Sequence, residues 1–168
     1  MSEQVKLLIT QAQGKSREGR HQEALSYFQE AFSLDPLHPT LLASIAFELR
    51  ELGRVDEAIL ALEKLLVRLP NSIHALSGLA QIARMQGRKV EAINFFEKLL
   101  ALEPKHPTYP VAIAAELRGL GRHQESLAML DKFLWVTLLY LVLVHTLRVF
   151  CFSILVFQFG QLFQPLLW

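Results

Sequence analysis

The chain has 168 residues with 17 basic and 16 acidic side chains, a near balance that gives no electrostatic reason to expect nucleic acid or an acidic partner. Its length suits one domain with an appendage. Cys151 is the only cysteine, which excludes an intrachain disulfide framework and a thiolate metal site.

At the N-terminus Glu3 and Lys6 precede a short apolar run, Leu7-Leu8-Ile9, too brief for a signal-peptide core. The segment that follows is therefore expected to stay in the compartment where it is made. Along it a phrase recurs: Gly-Arg, two variable residues, Glu and a small residue. It opens at Gly19, Gly53, Gly87 and Gly121, always at the same interval, and ends on Ala24, Ala58, Ala92 and Ser126. A constant period in this range is the mark of stacked structural repeats.

Each copy sits between two helices. Before the glycine, Leu42, Ile45, Ala46 and Leu49 follow i, i+3, i+4, i+7 spacing, and after it Ala58, Leu62, Leu65 and Leu66 line one face. Ala12, Ala46, Ala80 and Ala114 recur seven residues before the glycines, small enough to let two helix backbones approach. Phe28, Leu62, Phe96 and Leu130 recur nine residues after them. Glycine accepts the left-handed geometry that ends helix A. The glutamate then falls in the first turn of helix B, where the macrodipole favours an anion. Pro36, Pro70 and Pro104 break helix B and start the next connection. The fourth place in that series, 138, holds leucine.

These anchors resemble the tetratricopeptide repeat (TPR): a small residue in helix A, glycine at the turn, alanine in helix B, an aromatic four positions on, and a closing proline. In the second repeat those places hold Ala46, Gly53, Ala58, Leu62 and Pro70. The sequence departs from the pattern early in helix A, where Leu8, Leu42, Leu76 and Pro110 replace the expected aromatic, and where Lys15, Leu49, Ala83 and Leu117 occupy the tyrosine place. The resemblance implies an all-α, right-handed superhelical solenoid of antiparallel helix pairs over residues 1–134, with three full repeats and a truncated fourth. It also implies a non-enzymatic scaffold whose concave face, lined by helix A, takes an extended peptide or a partner helix.

Arg50, Arg84 and Arg118 stand three residues before their glycines, at a place the family turns toward the groove. Two readings apply. They form a ladder of bidentate donors for carboxylates on a peptide, or each merely complements the C-terminal dipole of its own helix; the second is preferred. Gln13, Phe47 and Gln81 join them as candidate groove residues. The chaperone-tail clamp of the family is not expected, because its places hold Ile9, Gln13, Ser44 and Ser77. Arg20, Arg54, Arg88 and Arg122 read as solvated. His38-Pro39-Thr40 and His106-Pro107-Thr108 read as connections, not metal ligands. No phosphate loop, nucleophile elbow or metal-spaced cluster appears, so neither catalysis, a small-molecule substrate, nucleic acid nor a cofactor is expected.

From Phe133 onward Arg148 is the only formally charged side chain. Residues 134–156 include 15 of the Leu, Ile, Val and Phe class, which favour insertion into a bilayer by about 4–9 kcal/mol, against about 2.5–3.5 kcal/mol for Arg148. Residues 135–168 are accordingly expected to be a hydrophobic C-terminal helix spanning a membrane. Arg118, Arg122 and Lys132 before it place the repeats on the cytoplasmic side; a cytoplasmic protein is the alternative. The composition changes inside helix B of the fourth repeat, not in a linker. On a second reading, the chain is the N-terminal part of a larger repeat-bearing enzyme, its tail a read-through or frame-shifted end.

Overall fold

The computed structural model describes residues 2–135. The chain divides into two compact units, Met1–Ser126 and Leu127–Trp168. Except for Trp135, the hydrophobic segment expected at 135–168 lies outside the described residues. Among those described, no helix is long and apolar enough to cross a membrane, and there is no strand.

The first unit is all-α. Its helices are α1 (Glu3–Arg17), α2 (His21–Leu34), α3 (Leu41–Glu51), α4 (Val55–Arg68), α5 (Ile73–Met85), α6 (Lys89–Leu102) and α7 (Thr108–Gly119). An eighth opens at 123, and its described residues run to 135. Odd-numbered helices are the A members and even-numbered ones the B members. Each helix packs on the next in chain order, and α3 also meets α5 directly. The A helices therefore share one side of the stack.

The four repeat glycines are the described residues with positive φ, at 75°, 75°, 70° and 76°. Each closes a Schellman motif. Its N–H donates to the carbonyl of the residue three before it (Ser16, Arg50, Arg84, Arg118), and the following arginine N–H reaches back to Lys15, Leu49, Ala83 or Leu117. The end of every A helix is thus written into one short phrase. The B helices end differently. Asp35, Leu69 and Glu103 precede the repeat prolines and have left the helical region, with φ between −129° and −138° and ψ between 74° and 83°, since the proline ring disfavours helical geometry in its predecessor.

The core follows the expected series. Ala12, Ala46, Ala80 and Ala114 are buried, as are Ala24, Ala58 and Ala92, and so are Phe28, Leu62 and Phe96. Ser126 replaces the fourth helix-B alanine. Its buried hydroxyl donates to the Ala114 carbonyl at 2.8 Å, so the polar substitution carries its own partner. Leu130, the fourth member of the large-residue series, is 37% exposed. The departures early in helix A are absorbed locally. Leu8, Leu42 and Leu76 are buried, and Pro110 lies in the first turn of α7, where its missing N–H costs no intrahelical bond.

Candidate groove

The A helices α1, α3 and α5 enclose a groove of about 590 Å³. Gln13, Phe47, Arg50 and Gln81 line it, as do Ser44 and Ser77. Phe28 and Leu62 contribute from the B helices behind. Arg84 and Arg118, the other two candidates, are not among its lining residues.

The arginine series does different work at each step. Arg50 donates from Nη1 to Gln81 Oε1 at 2.6 Å and from Nη2 to Glu51 Oε1 at 2.7 Å, and its guanidinium lies 4.9 Å from the centre of the Phe47 ring. Arg84 donates from Nε to Glu116 Oε1 at 2.8 Å and lies 5.9 Å from the centre of the Phe96 ring. Both therefore tie one A helix to the next across the groove side. All three sit in the last turn of their helices, where they also complement the dipole. Phe47 remains 44% exposed.

The wall of the groove contains a group that periodicity did not single out. Glu48 is only 1% exposed, an unusual place for a carboxylate. Its Oε2 meets His21 Nδ1, at the start of α2, at 2.8 Å. The signal was present: Glu48 and Glu116 are two repeats apart. Ser16, which stands at the first-repeat place of the arginine series, and Arg17 beside it also line the groove, as does His74, which was missed because it does not repeat as a residue type.

Away from the groove, the arginine after each repeat glycine is exposed and ion-paired to the glutamate three residues on: Arg20–Glu23, Arg54–Glu57, Arg88–Glu91 and Arg122–Glu125. Hydrogen bonding from Arg54 and Arg122 holds the Glu57 and Glu125 carboxyls below the usual range. Pairs this exposed add little stability each. The two His-Pro-Thr connections are closed locally: His38 Nδ1 accepts from the Thr40 N–H, and His106 Nδ1 from that of Thr108, each at 3.4 Å. Among the described residues no group of three or more His, Cys, Asp or Glu is placed to hold a metal ion.

A stack of helix pairs with glycine-closed A helices facing a groove defines a helical-repeat protein. The chain belongs to the tetratricopeptide repeat family, whose profile matches residues 16–82 and 49–117. Solved structures share the fold. A MamA double mutant (RS-1 ArsTM) is 20% identical with a TM-score of 0.70, over 79% of this chain and 75% of that one. A tetratricopeptide repeat protein from Parabacteroides merdae is 21% identical with a TM-score of 0.71, over 80% of this chain and 54% of its own. The first TPR of Spaghetti (RPAP3), bound to the HSP90 peptide SRMEEVD, is 18% identical with a TM-score of 0.65, over 72% and 96%. At these identities the likeness is one of fold. No curated protein matches the sequence significantly.

Proposed function

We propose that this chain is a non-enzymatic protein-interaction scaffold that takes an extended peptide or partner helix in the groove between α1, α3 and α5. The observation that carries this reading is the groove itself. Three successive repeats contribute to its lining, an aromatic side chain, Phe47, stands half-exposed in it, and Gln13, Ser44, Ser77 and Gln81 supply hydrogen-bonding groups around it. A structural relative, the Spaghetti TPR, has been solved with a peptide. Because stacking orders the A helices before any ligand arrives, little ordering entropy opposes binding. Arg50 and Gln81 would contribute at one end, with Arg84 and Arg118 continuing along the same side of the stack.

Full-length chain used as bait should capture a partner that a Phe47→Glu, Ser77→Glu variant loses while keeping its helical circular dichroism. Equal capture by both would move recognition out of the groove.

The reading includes attachment to a membrane through residues 135–168, with the repeats on the cytoplasmic side, supported by the near-absence of charge in that stretch. Carbonate-resistant pelleting of the full chain, lost when 135–168 are removed, is the expected result; release of the full chain by carbonate would refute the attachment.

A further inference from the structure

The contact that Arg84 makes has a counterpart two repeats earlier with its donor missing. Arg84 pairs with Glu116 of the next A helix, beside the ring of Phe96. Two repeats back, the equivalent three places hold Ser16, Glu48 and Phe28. The carboxylate and the ring are both repeated, and the arginine is replaced by serine. Ser16, Glu48 and Phe28 all line the groove. Glu48 is almost fully buried, and His21 meets only one of its two oxygens, Oε2.

We infer that this place receives the guanidinium of a single arginine carried by the partner peptide, which completes at the first junction the contact that Arg84 makes within the chain at the third. The inference rests on the groove reading above and names the chemistry of its ligand. A buried carboxylate gains most from a donor that satisfies its remaining lone pairs. Arginine suits the place better than lysine because its planar head can pair with Glu48 while lying near the Phe28 ring, as Arg84 does near Phe96. The neighbouring cations limit the charge of the ligand. Arg50 is already held by Glu51 and Gln81. Arg17, exposed on the groove rim, makes no ion pair among the described residues. A second basic side chain beside Arg17 would be repelled, so a lone arginine among uncharged or acidic neighbours is the match, not a basic run.

The test uses the full chain and two small probes, acetyl-arginine methylamide and its uncharged isostere, acetyl-citrulline methylamide, titrated while the amide resonances of Ser16 and Glu48 are followed. Saturable shifts with the arginine probe, at least tenfold weaker with citrulline, are expected. The variant Ser16→Arg, which supplies the missing guanidinium from within, should abolish them without lowering the thermal midpoint. Equal response to both probes, no response to either, or undiminished binding by Ser16→Arg overturns the inference. A partner lost on substitution of Phe47 and Ser77 but indifferent to Ser16→Arg would leave the groove reading standing and remove the arginine alone.

Discussion

Two glycines five residues apart in the first repeat have opposite reasons to be there. Gly14 lies inside α1 with ordinary helical geometry, and Gly19 holds φ at +75°; a Cβ on either would meet nothing within 4 Å. Space is thus the same at both, and backbone conformation alone decides. Gly14→Ala should stabilise the chain by about 0.5–1 kcal/mol, because alanine restricts the unfolded chain and favours helix. Gly19→Ala should destabilise it by about 1–2 kcal/mol, the cost of a side chain in left-handed geometry. Urea melts of the two variants read out both signs. Tyr109 offers a test by pH. It is 7% exposed, donates to Glu103 Oε2 at 2.8 Å and stacks on His106 at 4.2 Å. Burial, and then the Glu103 carboxylate, push its hydroxyl from the usual 10 up to about 12. The folded state holds the neutral phenol, so this contribution is complete below pH 10 and is lost as pH rises toward 12. Above pH 10 the parent should lose stability faster than Tyr109→Phe in parallel denaturant melts; parallel curves would remove the assignment. The glycine at each turn was legible because its conformation depends on its own few neighbours. The partner of Tyr109 was not, since the repeat pattern places its aromatic at the next position, 110.

At the level of helices, equivalent pairs of places set the junctions between repeats. His21 meets Glu48 at the first junction. The same two places at the second hold Val55, partly buried against the apolar core, and Ile82, within it. One junction is polar and the next apolar, on the same backbone. Replacing His21 with valine leaves Glu48 buried without that partner and should cost about 3 kcal/mol. The double variant His21→Val, Glu48→Ile, which copies the second junction, should return to within about 1 kcal/mol of the parent. A double-mutant cycle measures the coupling, and additive losses would show that the two side chains do not act as a pair. The spacing made both helices of each pair evident. It could not show that Arg50 and Arg84 are engaged within the chain, because Gln81 read as a groove residue and Glu116 as an ordinary surface residue until stacking brings each against the arginine of the preceding repeat.

For the first unit as a whole, stability is a sum of repeat and interface contributions, and inner repeats have neighbours on two sides. Native-state hydrogen exchange should find slower amides in α3, α4 and α5 than in α1, which packs chiefly on α2. Uniform protection from α1 to α5 would instead indicate one cooperative block. The all-α repeat, the end of every A helix and the buried series were legible from the residues alone, since these rest on backbone geometry and spacing local to each repeat unit. Stacking alone reveals that Arg50 and Arg84 are tied to the next helix pair and that Glu48 lies buried against His21 in the groove wall. Those contacts join positions distant in the chain and exist only where one repeat lies against the next, so identical residue types at equivalent places meet different partners.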